Sequence, residues 1–297
     1  MKKKYRFTVL LLFCVTAGAY LFVRLCGAGS PAAEDGTIQV VTSFYPVYIA
    51  AANVADGCEG LEVVNLSEPQ TGCLHDFTLT PEDMQLLSTA DLFLINGGGM
   101  ETFLEEVASQ YPALTVAETA EGLLEEENAH TWMGIAKYRA QVKAILDALC
   151  LAAGGYEKKL KANADRYDAK LAGLQSQQEE LKFAAAGRKI VSFHEAYEYL
   201  AADYGLEIVC TLDLDEERQV GAGEAANVVK AVDGGADVIF AEELYGKEMA
   251  ETIQKERNVK VCYLDTLVRG DYELDSYIDG MQRNIDLLKE VFVLPKD

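Results

Sequence analysis

The chain has 297 residues, 50% of them hydrophobic, and 26 Lys and Arg residues against 48 Asp and Glu residues give a formal net charge of -22. This composition excludes a disordered or collagen-like chain, and the length predicts one large domain or two ordinary domains. The acidic balance excludes a nucleic-acid partner, because such binding depends on basic groups that displace counterions from phosphates. Only three histidines are present, so each deserves separate consideration as a ligand.

Residues 1–36 have the layout of an export signal or a membrane anchor, followed by a linker. Basic residues precede an uncharged apolar run at residues 7–23, which lies at the lower edge of what spans a bilayer. Cys26 followed by Gly27 suggests a lipoprotein site, although Arg24 departs from the usual small residues before such a cysteine. We therefore predict an extracytoplasmic protein at the cell surface, held to the membrane by a lipidated Cys26 or by an uncleaved N-terminal anchor.

The next segment, residues 37–137, is predicted to be an N-terminal α/β lobe. Apolar runs rich in β-branched residues predict strands, and segments with helical spacing between them predict helices. The strands are predicted at residues 38–42, 61–66 and 91–96, and the helices at 47–55, 80–88 and 100–110. Such alternation is typical of a mostly parallel sheet covered by helices.

Residues 138–186 have helical spacing throughout and form a separate helical region. From Tyr156 onward, apolar residues recur three or four positions apart while charged residues line the opposite face. The apolar positions are Leu160, Ala164, Tyr167, Leu171 and Leu174. This pattern predicts one long, rigid helix that joins two lobes.

Residues 187–297 return to the strand and helix alternation and are predicted to be a C-terminal α/β lobe. Strands are predicted at residues 189–193, 206–211, 237–241 and 259–264, and helices at 195–204, 222–233, 247–256 and 272–291. The predicted fold class is therefore α/β, with two lobes of mostly parallel sheets flanked by helices.

Five cysteines follow the leader, namely Cys58, Cys73, Cys150, Cys210 and Cys262. Because their number is odd, they cannot all pair within one chain. Cys58 and Cys73 flank the predicted strand at residues 61–66, and an exported setting permits disulfides. Two interpretations of these cysteines remain: a disulfide between Cys58 and Cys73, or free thiols buried in the core.

Four candidate metal ligands lie in loops of the predicted lobes. His75 and His194 follow predicted strands, His130 precedes the helical region, and Asp265 ends a late strand. In α/β sheets, ligands gather outside the carboxyl ends of strands. A single His or Asp in a loop is more often a surface or capping residue than a ligand. The combination of all three histidines with one carboxylate at such positions favours a metal site.

Several segments also resemble the solute-binding subunits of bacterial zinc and manganese ABC transporters. The resemblance is carried by TGCLHDF and the LTPEDM helix start at residues 71–84, NAHTWM at residues 128–133, SFHEAYEYL at residues 192–200, and VCYLDTL at residues 261–267. Asn128 and Ala129 stand where that family has Asp-Pro, and Gly134 stands where an acidic residue often follows. These departures leave the shape of the His130 loop and the partners of its ring as open questions.

The resemblance implies that His75, His130 and His194 are imidazole ligands and that Asp265 is the carboxylate ligand. It also implies a monomeric protein that captures a metal ion between its lobes and delivers it to a membrane permease. Three nitrogens and one carboxylate favour Zn²⁺, whereas Mn²⁺ tolerates more oxygen ligands and is the alternative cargo. The family that the sequence resembles also includes proteins with a cell-adhesion role.

A secreted zinc hydrolase is the rival class. It requires an open coordination position and a general base. His194 and Glu195 begin a segment that lacks the second histidine of the H-E-x-x-H motif. Four protein ligands would also leave no position for water, so we predict that the protein is not an enzyme.

Overall fold

A computed structural model describes residues 36–68, 74, 77–126, 128–214 and 220–293, and within them the chain forms two four-stranded sheets. The first sheet has the order β2-β1-β3-β4, and the second has the order β6-β5-β7-β8. All strand pairs are parallel. The strands are β1 Ile38–Thr42, β2 Leu61–Asn65, β3 Leu92–Ile95, β4 Thr115–Glu118, β5 Lys189–Ser192, β6 Glu207–Thr211, β7 Val238–Ala241 and β8 Lys260–Tyr263. The predicted α/β class is confirmed.

Helices flank both sheets and join them. Those that accompany the first sheet are α1 Tyr45–Ala55, α2 Pro81–Thr89 and α3 Leu104–Gln110. The central pair is α4 Ile135–Ala152 and α5 Glu157–Ala185, separated by a short 3-10 turn, and the second sheet carries α6 Tyr197–Tyr204, α7 Ala222–Asp233, α8 Lys247–Arg257 and α9 Ser276–Phe292. Helix α2 begins as the sequence predicts, because Thr80 and Asp83 form a capping box at its start.

The long joining helix is α5, with 29 residues. At 1.5 Å per residue it spans about 44 Å. Its buried face, which includes Leu160, Tyr167 and Leu171, belongs to one hydrophobic core that also contains Phe93 of the first sheet and Phe240 of the second. Because this core extends from the first sheet into the second lobe, the joining helix is packed against both.

One strand, β4, is not among the predicted elements. It lies at the edge of the first sheet, and Thr115, Val116 and Glu118 are exposed. An edge strand that is only four residues long buries too little surface to leave an alternating apolar pattern in the sequence. The predicted helix at residues 100–110 also begins late, at Leu104, because a turn follows three glycines with positive φ at Gly97, Gly98 and Gly99.

Two predictions concern residues beyond those described. The leader and its Cys26 lie outside the described residues, as does Cys73. Cys58 is buried and makes no disulfide with any described residue, so the Cys58–Cys73 bond stays a prediction. Among the helices of the described ranges, none is long and apolar enough to cross a membrane.

Cys262, in strand β8, is a buried free cysteine. Burial raises the pKa of its thiol to about 12, so the reactive thiolate is a very minor form near neutral pH. We expect iodoacetamide to leave Cys262 unmodified in the folded protein and to modify it fully in denaturant, as measured by peptide mass spectrometry. Alkylation of Cys262 as fast as that of the half-buried Cys150 would contradict this placement.

Candidate metal centre

His130 lies between the first sheet and helix α4, just before the 3-10 turn Thr131–Met133. Its side chain is fully buried. The indole ring of Trp132 lies 5.1 Å from the imidazole, measured between ring centroids, and Phe44 meets the indole edge-on at 5.0 Å. The ring of His130 is therefore held against the hydrophobic core rather than exposed to solvent.

His194 follows strand β5 in the second lobe and is 2% exposed. The hydroxyl of Ser192 donates a hydrogen bond to the carbonyl oxygen of His194 at 2.7 Å, which fixes the turn that leaves the strand. The rings of His130 and His194 approach edge to face, with centroids 5.1 Å apart and planes at 80°. The structure thus brings together one predicted ligand from each lobe.

The hydrogen bonds of His194 determine which ring nitrogen is available to a metal. Its Nδ1 lies 2.6 Å from Oε1 of Glu242, and a carboxylate can only accept, so Nδ1 carries the proton. The hydroxyl of Thr266 donates to the other oxygen of Glu242 at 3.3 Å. Nε2 of His194 is buried and has no hydrogen-bond partner among the described residues. A buried nitrogen lone pair without a donor is unfavourable in itself, and it suits a metal ion.

His130 is oriented in the same way by Asn128. Oδ1 of Asn128 accepts from the backbone N–H of His130 and from its Nδ1, both at 2.9 Å. Because the backbone N–H must have an acceptor, the Asn128 amide is fixed with its oxygen toward the histidine. Oε1 of Glu195 lies 3.5 Å from the same Nδ1. Acceptors at Nδ1 leave Nε2 of His130 with the lone pair that a metal requires.

Asn128 also connects the two lobes at this point. Its Nδ2 donates to the carbonyl oxygen of Glu195 at 3.1 Å and to Oε2 of Glu198 at 2.9 Å, and the hydroxyl of Tyr199 donates to its carbonyl oxygen at 2.6 Å. The asparagine that replaces the family's aspartate therefore keeps an acceptor for His130 and gains a donor to the second lobe. These hydrogen bonds fix the conformation of the His130 loop although its sequence departs from the family pattern.

Asp265 follows strand β8 and comes just before Thr266, whose hydroxyl contacts Glu242. Its backbone is fixed by Asn284, which accepts from the Asp265 N–H at 2.9 Å and donates to its carbonyl oxygen at 2.7 Å. Its carboxylate accepts from the N–H of Leu267 at 2.8 Å and lies 3.5 Å from Nη2 of Arg283. The side chain is 39% exposed. In this conformation the carboxylate is directed at Leu267 and Arg283.

His75, the remaining predicted ligand, lies outside the described residues. Within the described ranges, no group of three or more His, Cys, Asp or Glu side chains is placed so that it could hold a metal ion. The structure therefore joins His130 with His194 and leaves the full set of four as a prediction.

Two carboxylates of the centre, Glu242 and Glu195, were not assigned ligand-orienting roles by the sequence analysis. Glu242 comes directly after strand β7, as His194 comes two residues after β5. The rule that ligands gather at the carboxyl ends of strands would have selected Glu242. Glu195 entered the sequence-based predictions only as the neighbour of His194 in a partial H-E-x-x-H motif, whereas the structure places its carboxylate 3.5 Å from Nδ1 of His130.

Two α/β lobes joined by a long packed helix, with facing imidazoles between them, define a metal-binding solute-binding protein. Comparison with known proteins identifies the group. The chain belongs to the family described as the zinc-uptake complex component A, periplasmic (ZnuA), whose model matches residues 40–291. It is accordingly a solute-binding protein of the ABC-transporter type and not an enzyme.

Relatives named for zinc and for manganese match most of this chain. The high-affinity zinc uptake system protein ZnuA of Bacillus subtilis is 28% identical over 93% of this chain and 95% of its own length. The manganese-binding lipoprotein MntA of Halalkalibacterium halodurans is 27% identical over 96% of this chain and 97% of its own. The Zn(II)-bound crystal structure of AdcA from Streptococcus pneumoniae has a TM-score of 0.74 and 25% identity, and covers 88% of this chain and 59% of that one.

Proposed function

We propose that this chain is an extracytoplasmic zinc-binding protein of an ABC importer, which captures Zn²⁺ between its lobes and delivers it to a membrane permease. The observation that carries this proposal is the facing pair of His130 and His194, each with Nδ1 beside an oxygen acceptor. His75 and Asp265 complete the proposed ligand set. The lipid anchor at Cys26, or an uncleaved N-terminal anchor in its place, and the monomeric state belong to the same proposal.

The proposed ligands differ in how firmly they are held. The two described imidazoles are buried and oriented by side chains that they contact directly. Asp265 is partly exposed, and Arg283, which faces its carboxylate, is itself mostly exposed. An exposed pair of this kind contributes at most about 1 kcal/mol. Capture would therefore begin at the histidines and be completed by rotation of the Asp265 side chain, and release would reverse that rotation.

Zinc rather than manganese is the proposed cargo. Imidazole nitrogens suit Zn²⁺, and for a given set of ligands Zn²⁺ binds more tightly than Mn²⁺. The relatives include proteins named for each metal. Manganese is therefore the alternative cargo, and a direct comparison of the two affinities distinguishes them.

Calorimetric titration of the metal-free protein with Zn²⁺, and separately with Mn²⁺, tests the proposed cargo. We expect one equivalent of Zn²⁺ to bind, and to bind orders of magnitude more tightly than Mn²⁺. Tighter binding of Mn²⁺ would transfer the proposal to the manganese members of the family. Absence of binding by either metal would reject it.

A further inference from the structure

Behind His130, the first lobe buries a set of polar side chains that the proposed ligand set does not include. Asn96 follows strand β3, and Thr119 follows β4, while Gln141 comes from helix α4 and Glu101 from the turn after the glycines. All four are at most 5% exposed. Burying such groups is unfavourable unless they are hydrogen-bonded, so their bonds indicate what they are for.

Asn96 makes the bond that reaches the metal centre. Its Nδ2 donates to the carbonyl oxygen of Ala129 at 2.8 Å. The Ala129 carbonyl and the His130 N–H belong to the same peptide group, the one that joins these two residues. The His130 N–H donates to Oδ1 of Asn128 at 2.9 Å. The peptide plane before His130 is therefore held at both ends, which fixes the position of the His130 Cα. The N–H of Met133 donates to the carbonyl oxygen of His130 at 3.1 Å, so the backbone that carries the imidazole is held on both sides of Cα.

Asn96 is itself held in place on every side. Its backbone N–H and that of Gly97 donate to the two carboxylate oxygens of Glu101, at 2.8 and 2.9 Å. Gln141 donates from Nε2 to Oδ1 of Asn96 at 2.8 Å, which forces the Asn96 amide nitrogen toward Ala129. The orientation of the Asn96 side chain is thus determined by its neighbours and not by solvent.

Gln141 is held in the core by the hydrogen bonds that it donates and not by its acceptor. Its Oε1 is buried and has no hydrogen-bond partner among the described residues. An unpaired buried acceptor costs about 1–3 kcal/mol, so Oε1 itself does not stabilise the fold. What the glutamine supplies is the donor that fixes Asn96.

We propose that Asn96, held by Gln141, is a positioning residue for metal binding that sets the orientation of His130 through the Ala129–His130 peptide. This inference rests on the proposed function and adds to it a residue that contacts neither the metal nor a metal-ligating side chain. Partners that orient a ligand typically contribute about 10–100-fold to metal affinity. The same range is expected here.

The test compares zinc affinity in Asn96→Leu with that in a matched control, Asn163→Leu. Asn163 is also buried and donates from Nδ2 to two carbonyl oxygens, those of Val54 and Asp56, at 3.0 and 2.9 Å. We expect both variants to lose stability in thermal unfolding. Only Asn96→Leu should bind zinc about 10–100-fold more weakly.

A double-mutant cycle with His130→Ala separates positioning from general loosening of the fold. If Asn96 acts through His130, Asn96→Leu has no further effect on zinc affinity once His130 is alanine. If Asn96→Leu lowers zinc affinity equally in the His130→Ala protein, the inference is overturned. An unchanged zinc affinity in the Asn96→Leu single variant would overturn it too. Both results require that the unaltered chain binds zinc. If the unaltered chain does not bind zinc, the proposed function is rejected and not only the role of Asn96.

A second variant covers the case in which Asn96→Leu does not fold. Gln141→Met removes the bond to Asn96 and a longer one to Thr119, but it also removes an unpaired acceptor and keeps the length of the side chain, so we expect it to fold. Weaker zinc binding by Gln141→Met, again only when His130 is present, supports the positioning role. Zinc affinity equal to that of the unaltered chain contradicts it.

Discussion

His194→Ala is expected to lower the affinity for zinc by more than about 100-fold, since loss of an orienting partner alone costs roughly 10–100-fold. His194 is the one described imidazole whose Nε2 is buried and without a hydrogen-bond partner in the described ranges, and it is the second lobe's half of the facing pair. Removing it leaves His130 without its counterpart across the lobe boundary. Competition of the metal-free protein against a fluorescent zinc chelator measures the change.

Glu242→Gln is the graded companion of that variant. The amide still meets Nδ1 of His194, but it lacks the negative charge that makes the imidazole a stronger ligand, so zinc affinity should fall by about tenfold or somewhat more. The expected order of zinc affinity is the unaltered chain, then Glu242→Gln, then His194→Ala. Equal affinity in the unaltered chain and His194→Ala would remove His194 from the site.

The second large effect concerns stability. Trp132→Ala is expected to lower the free energy of unfolding by about 3–5 kcal/mol. The indole is fully buried, its Nε1 donates to the carbonyl oxygen of Thr266 at 2.8 Å, and its backbone oxygen accepts from Tyr277 at 2.6 Å. Both partners belong to the second lobe, so the substitution opens a cavity and also breaks a bond between the lobes.

Urea denaturation followed by circular dichroism measures this loss without relying on the tryptophan signal. Leu151→Ala is the matched control, because Leu151 is 90% exposed and its loss should change the free energy of unfolding by no more than about 0.5 kcal/mol. A small effect of Trp132→Ala, comparable to that of Leu151→Ala, would contradict the placement of the indole between the lobes.

The strands and helices were largely predictable because each carries a local signal. Strand β1 and helix α7 begin and end where the sequence analysis places them. The helix start at Thr80 and the apolar stripe of α5 can be recognised from residues that lie within one or two helical turns of each other. Strand β4 was missed because an exposed edge strand has no such signal.

The centre itself was predictable only in part. His130 and His194 are found because histidines are rare in this chain and lie at loops where ligands gather. Glu242 could have been selected by its place after strand β7. The roles of Asn96 and Gln141 depend on hydrogen bonds between residues far apart in sequence, which the spacing of residues does not indicate. The direction of the Asp265 carboxylate is likewise set by Leu267 and Arg283, through the fold.

X-ray absorption spectroscopy of the zinc-loaded protein tests the central claim most directly, because it counts the ligand types around the metal. We predict three imidazole nitrogens at about 2.0–2.1 Å and one carboxylate oxygen, with no sulfur. His130→Ala should reduce the imidazole count by one. Fewer than three imidazoles in the unaltered chain, or a zinc–sulfur distance of about 2.3 Å, would contradict the proposed site.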